Sequence, residues 1–478
     1  MRPLSPILAF AFAAALAGCA LKTPPDRAEL AKAVPNRLVP EQWVAPGGLP
    51  GGVGDRWLAS FNDPHLDALA REALVYNFDL QVAAARVEQA AAYQKVAGAM
   101  LYPQVNVLAR GGGKLSGDSS GLQGLGLFVN WEMDIWGRVR AGSAAAQSQY
   151  VSTALSAEFA RQSIVAQVAK GWFLATEARL QKGLADETVI ASERLASLAQ
   201  DRERVGVGDE YDVRLALANL QTFRDAAQNL ELSYRQALRS IEILAGRYPA
   251  AVLAVPADLA AVPAPVPVGM PSDLLERRPD VVAAERRVAA AFYRTEEAKA
   301  ARLPKISLTA AVSSISSDLF VLQDRDNPVW SAGASLLAPL YSGGQLKAQV
   351  EIRTAEQKQA LAEYGKVGAR AFGEVEDSLS SGFALDAREA ILKQAVAENV
   401  RALELAHVRY RVGSGDLRGV MQQNLALYAS RVSLIRVRSE QLMQRVNLYL
   451  ALGGSFDERT VEQQGGQSKV VSENGQAQ

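Results

Sequence analysis

The sequence predicts a mainly helical chain that carries four membrane-facing β-strands and is built twice, and three observations predict it. Arg138 to Arg204 runs for 67 positions without proline, and Gln345 to Arg411 does the same. At 1.5 Å per residue each would be a helix about 100 Å long. Short alternating runs precede both stretches: Leu125, Leu127, Val129, Trp131 and Met133 interleave with Gly126, Phe128, Asn130, Glu132 and Asp134, and Ile306, Leu308, Ala310 and Val312 interleave with Ser307, Thr309, Ala311 and Ser313. A period of two is the strand signature. The halves also repeat. A shift of 201 residues pairs Asp79 with Asp280, Arg86 with Arg287, Val87 with Val288 and Pro103 with Pro304, and a shift of 207 lays Arg204-Val-Gly-Val-Gly-Asp209 on Arg411-Val-Gly-Ser-Gly-Asp416. The six extra residues fit a longer loop around Ser317 to Pro328.

In chain order, Arg2, the apolar stretch Pro6 to Ala17 and Leu16-Ala17-Gly18-Cys19 read as a secretory signal closed by a lipobox. The run is similar to that of bacterial lipoproteins, which implies cleavage before Cys19 and acylation of that residue. Ala20 in place of Asp implies outer-membrane sorting. Residues 1–18 are thus a signal peptide and 19–56 a lipid-anchored segment, proline-spaced, that reads as an extended tether or wrap without its own core. Residues 57–248 form the first repeat, 249–271 a proline-rich linker, 272–454 the second repeat and 455–478 a disordered tail.

Each repeat orders helix, two strands, long helix, tight turn and returning helix. Asp63 to Leu101 and Asp280 to Leu303 are expected as the first helices, and Asp209 to Gly246 and Asp416 to Leu452 as the returning ones. Gly206, Gly208, Gly413 and Gly415 stop the long helices, and Asp209 and Asp416 can cap the next.

Composition excludes several classes. Lys and Arg number 51 against 51 Asp and Glu, so no basic footprint for nucleic acid exists. One Cys leaves no intrachain disulfide, and His65 and His407 have no metal-ligand spacing around them. Gly-x-Ser-x-Gly, His-Glu-x-x-His and a complete phosphate loop are absent; Gly111-Gly-Gly-Lys114 lacks the spaced Gly and the hydroxyl residue and reads as an extracellular loop. No enzyme, cofactor or metal is expected.

Long helices of Ala, Leu, Glu and Arg suit a coiled-coil spacer equally well. The strands decide against it. Their runs have the length of membrane strands, and Tyr102, Trp136, Trp330 and Tyr341 stand at strand ends where aromatic girdles belong. Four strands cannot close a barrel, and open edges are not tolerated in lipid, so copies must share one.

Asp63-Pro-His-Leu-Asp-Ala-Leu69, Asn77-Phe-Asp-Leu80, Leu274-Leu-Glu-Arg-Arg-Pro-Asp280, Ala284-Glu-Arg-Arg287, Leu303-Pro-Lys-Ile-Ser-Leu308 and Leu340-Tyr-Ser-Gly-Gly-Gln345 together resemble the outer-membrane efflux family, the TolC-like and OprM-like proteins and especially their NodT-like lipoprotein branch. The resemblance spans Trp57 to Gly454. It implies a homotrimer with a shared twelve-stranded outer-membrane barrel and a long periplasmic α-helical barrel. Its implied partners are a periplasmic adaptor and an inner-membrane efflux transporter, and its function is the exit duct of a tripartite pump for small toxic compounds or drugs. A duct for protein secretion and a structural envelope lipoprotein are the alternatives.

Arg204, Asp209, Asp212, Arg411 and Asp416 are the candidates for a pore gate at the periplasmic tip. Gly206, Gly208, Gly413 and Gly415 are candidates for the surface an adaptor grips. The family often places acidic residues just after the second turn, whereas Gly419 and Gln422 stand there and Asp212 survives in the first repeat.

Overall fold

A computed structural model of the protein describes residues 21–33, 40–110, 123–316 and 329–457. The signal segment, Cys19, the loops at 111–114 and 317–328 and the tail beyond Asp457 lie outside the described residues. The chain divides into two units. The first holds Met1–Leu38, Ala84–Ser156 and Asp280–Val367; the second holds Val39–Ala83, Ala157–Pro279 and Gly368–Gln478.

The first unit contains one antiparallel sheet of four strands, β1 (Gln104–Arg110), β2 (Gln123–Met133), β3 (Lys305–Ser316) and β4 (Val329–Leu337), in the order β1-β2-β3-β4. Its register turns the alternation into continuous rows. Val107, Leu127, Val312 and Trp330 lie side by side, as do Val105, Val129, Ala310 and Ala332. Between them run the rows Gln104, Asn130, Thr309, Gly333 and Asn106, Phe128, Ala311, Ser331. Because neighbouring residues in a strand point to opposite faces, one face is apolar across all four strands and the other is largely polar. The apolar face is uncovered: Val107 is 67% exposed and Trp330 79%. Exposed Tyr102, Trp136 and Tyr341 cluster at one end of the sheet, with Trp330 toward the other. The Trp136 indole N–H donates to the Pro304 carbonyl at 2.7 Å and that of Trp131 to Leu101 at 3.0 Å, fixing both rings against the strand connections. Among the described residues β1 and β4 form the two edges of the sheet.

Helix α1 (Arg27–Ala33) lies in a segment the sequence presents as extended. A reciprocal cap explains it: Asp26 Oδ1 accepts the Glu29 N–H at 2.8 Å and Glu29 Oε2 accepts that of Asp26 at 3.2 Å. Arg27 then pairs with Glu285 at 2.8 Å, Lys22 with Glu296 at 3.0 Å, and Leu30 is buried. This part of the segment is helical and docked on the first unit.

The first expected helix is also broken, into α2 (Pro64–Tyr76) and α3 (Phe78–Ala99). Asn77 causes this. It adopts extended dihedrals, its amide donates to the Leu244 carbonyl at 2.9 Å, and its side-chain oxygen accepts the Leu80 N–H at 3.1 Å. One residue ends one helix and caps the next. The remaining helices are α4 (Arg138–Arg204), α5 (Glu210–Leu244), α6 (Leu274–Arg277), α7 (Pro279–Ala300), α8 (Gln345–Arg411) and α9 (Leu417–Ala451). Both long helices keep the expected bounds.

In the second unit the core gathers Leu66, Leu69 and Ala73 of α2 with Phe173 of α4 and Ile241 of α5. Trp57 stacks on Tyr449 at 5.7 Å, Phe61 lies 5.0 Å from Phe173, and the Trp172 indole donates to Asp63 at 2.8 Å. The start of the proline-rich segment after α5 is held by a buried side chain. The Glu242 carboxylate accepts the N–H groups of Ala251, Val252 and Leu253 at 2.7, 2.8 and 3.1 Å. Farther along, Leu49 bridges Pro267, the Trp43 indole donates to Gly269 O at 3.2 Å, and Glu376 accepts from Val44 and Ala45. Beyond α9, Ser455 and Phe456 are buried, with Ser455 O accepting from Arg56 at 2.8 Å.

Candidate functional site at the helix-hairpin tips

The sequence candidates occupy two turns of the second unit, one joining α4 to α5 and one joining α8 to α9. Each glycine has a distinct physical reason. Gly206 takes φ of 79°; its N–H donates to Glu203 O at 2.9 Å and that of Val207 to Arg202 O at 3.0 Å. These are the paired bonds that close a helix through a left-handed residue. Gly413 repeats them, with φ of 77° and bonds to Tyr410 O and from Ser414 to Arg409 O at 3.2 and 2.9 Å. Gly208 and Gly415 instead permit close approach. A Cβ on Gly208 would stand 3.1 Å from the Glu203 nitrogen, and one on Gly415 3.1 Å from Arg409 Cβ. Asp209 and Asp416 then cap the returning helices, accepting the N–H of Asp212 and of Gly419, each at 2.8 Å.

The charged candidates do not pair with one another. Arg204 donates to Asp201 on its own helix at 2.6 Å, and Arg411 is exposed. The links between the two hairpins come from residues the sequence reading passed over. Arg202 lies over the Tyr410 ring at 4.7 Å, and Arg418 donates to the Tyr211 hydroxyl at 2.9 Å with its guanidinium 5.8 Å over that ring. Beneath them Leu195, Val213, Leu220, Leu417 and Val420 form a shared apolar cluster. A partial signal was present: Tyr211 and Arg418 are equivalent under the 207-residue shift, whereas Arg202 falls on Arg409 and Tyr410 on Glu203, so the repeat marks only the first of the two pairs.

Asp212 is the electrostatic outlier. Burial raises its carboxyl above the usual range, and the negative charges of Asp209 and Asp416 push the same way, opposed by Arg202 and Arg418. A carboxylate of one hairpin thus responds to the cap of the other. Among the described residues no group of His, Cys, Asp and Glu could hold a metal, and no helix is long and apolar enough to cross a membrane.

A sheet with one apolar face and two open edges, built into a chain of long helix hairpins, defines a subunit of an outer-membrane channel. The sequence matches the profile of the outer membrane efflux protein family over residues 69–247 and 270–454, and the chain belongs to that family. It is 31% identical over 439 residues to the pyoverdine export outer membrane protein OpmQ of Pseudomonas aeruginosa, covering 87% of this chain and 91% of that protein. It is 28% identical over 459 residues to the cation efflux system protein CusC of Escherichia coli, covering 95% and 99%. The crystal structure of the open state of the Neisseria gonorrhoeae outer membrane channel MtrE aligns with a TM-score of 0.76 at 25% identity, over 92% of this chain and 99% of that one.

The protein is therefore an outer-membrane efflux channel of a tripartite pump, not an enzyme, and its helical part lies in the periplasm. Its fold is that of the trimeric channels of this family, in which three chains share a β-barrel and a helical barrel. As a component of such a pump it works with an adaptor and an inner-membrane transporter.

Proposed function

We propose that this channel is the exit duct for small toxic or amphiphilic compounds, closed at its hairpin tips and opened by the adaptor that grips them. The observation that carries the gate is the pair of arginine–tyrosine links between the two hairpins of one chain. Such contacts are worth at least about 0.5 kcal/mol each, and six per trimer sum to about 3 kcal/mol, a bias of roughly a hundredfold toward the closed arrangement. A partner that binds splayed hairpins better than closed ones reverses it without any chemical step. Arg204, Asp212 and Arg411 sit beside these links, and the glycine turns present the surface for the adaptor.

The relatives' names carry different cargoes, pyoverdine and cations. This supports a duct that conducts what its transporter delivers. Replacing Arg202 and Arg418 together with Ser is expected to raise single-channel conductance in planar bilayers and the entry of large antibiotics into cells. Replacing Arg204 and Arg411 with Ser is expected to leave conductance near that of the wild type, because Arg204 pairs with Asp201 on its own helix. The reverse pattern, or unchanged conductance in an intact Arg202/Arg418 trimer, would place the constriction elsewhere.

Cys19 is proposed as the acylated N-terminus, on the motif alone. Cys19→Ser should abolish lipid attachment while leaving a foldable trimer, since one acyl anchor adds little to an inserted barrel. An unmodified Cys19 in the mature wild type, seen by mass spectrometry, would end the lipoprotein reading.

A further inference from the structure

Within the second unit α4, α9 and α8 carry a covering layer on one side. There Trp172 of α4 donates to Asp63 at the start of α2 at 2.8 Å, Tyr449 of α9 stacks on Trp57 at 5.7 Å, and Glu376 of α8 accepts the N–H groups of Val44 and Ala45 at 2.9 and 2.7 Å. Lys170 is two positions from Trp172, Glu440 nine from Tyr449 and Leu385 nine from Glu376. On a helix these steps turn a side chain through about half a turn. All three therefore point away from the covering layer, and together they line one cavity of about 430 Å³. In a ring of helices shared by three chains an added layer fits only outside the wall, so the uncovered side with its cavity faces the duct.

The chemistry of the cavity is unbalanced. The Lys170 ammonium donates to the Asn447 side-chain oxygen at 3.1 Å, and among the described residues no carboxylate is within 4 Å of it. Burial pushes its pKa below the usual lysine range. Glu440, the one carboxylate lining the cavity, is already matched by Arg388 at 3.5 Å and Arg436 at 3.8 Å. Leu385 and Met443 add an apolar wall. The duplicated scaffold does not demand this arrangement: under the 207-residue shift Lys170 falls on Asp377, Arg388 on Gln181 and Asn447 on Ser240, so the second copy of the motif has no cation at these places.

We propose that this cavity is a station for amphiphilic anions travelling through the duct, with Lys170 meeting the anionic group and Leu385 and Met443 the apolar part. The inference rests on the exit-duct reading and names a cargo class for it. A partly desolvated ammonium held by a single neutral acceptor gains more from an arriving anion than a lysine in water does. The cavity has the volume of a small-molecule site, and its opening onto the duct lets the cargo leave again.

The purified full-length trimer is titrated with 2-naphthoate and with 2-naphthylmethylammonium, a cation of similar size, by saturation-transfer NMR. The wild type should bind the carboxylate about tenfold tighter than the ammonium, and Lys170→Gln should abolish that preference while Lys170→Arg keeps most of it. In planar bilayers 2-naphthoate should reduce the wild-type single-channel current and leave that of Lys170→Gln nearly unchanged. Equal binding of the two probes, or undiminished naphthoate binding by an intact Lys170→Gln trimer, overturns the anion site. Binding that depends on Lys170 without any effect on current puts the cavity off the conducting path and overturns the station. A wild-type trimer that carries no current at any voltage overturns the duct reading itself, whatever the cavity binds.

Discussion

Leu127→Arg is expected to abolish trimeric channel assembly, whereas Asn130→Arg, three residues along the same strand, is expected to be tolerated. Leu127 lies mid-strand in β2, in the row Val107, Leu127, Val312, Trp330 on the apolar face. A guanidinium on that face near the bilayer midplane costs about 2 to 4 kcal/mol per chain. Three chains multiply it, and the penalty falls on the assembled state because a separated chain can keep the charge in water. Asn130 lies in the row Gln104, Asn130, Thr309, Gly333, on the face a hydrated lumen would wet. Heat-resistant trimer on gels and recovery in outer-membrane fractions measure both variants. Equal tolerance at the two positions, or equal failure, would mean that the apolar face does not meet lipid.

Glu242→Ala should be the most damaging single change in the second unit outside its apolar core. The side chain is 1% exposed and its carboxylate accepts the N–H groups of Ala251, Val252 and Leu253. Hydrogen bonds to a charged acceptor are worth about 1.5 to 3 kcal/mol each. Truncation removes three and leaves donors unmet in a partly buried loop, for a loss on the order of 4 kcal/mol. Gln keeps one carbonyl oxygen and should cost about half as much. The urea midpoint gives the size of the effect, and limited proteolysis gives its place: cleavage should appear within 249–271 before the helices open. A wild-type cleavage pattern in Glu242→Ala would show that the proline-rich segment is held by its other contacts.

These two positions also mark what could be read in advance. The strand rows followed from alternation because a period of two in sequence is a face in space, and register only had to join four such faces. The long helices were legible to the residue, since Gly206 and Gly413 end them and no proline interrupts them. Asn77 was not, because its role depends on a carbonyl 167 positions away at Leu244. Glu242 was hidden likewise: its partners are backbone groups of an aperiodic segment, and backbone groups leave no mark in a sequence. At the tips the turn was readable and the links were not. Arg202, Tyr211, Tyr410 and Arg418 belong to different helices, and only folding both hairpins onto the Leu417 cluster brings them into contact.

The six-residue turn shared by the two repeats has a consequence for how variation in this channel should be weighed. One glycine in each copy is demanded by a left-handed dihedral, the other by a backbone 3.1 Å from a missing methyl or by its counterpart's close contact, and the aspartate by an open N–H. Covalent geometry alone would preserve those letters in a channel that had lost every partner. The freedom to encode a partner sits on the side chains that geometry leaves unconstrained: Val205, Val207 and Val412, each more than half exposed, and Ser414 where the second copy departs from the first. Two tips with the same skeleton and different surface lettering give selection a place to adjust docking without disturbing the hairpin that presents it.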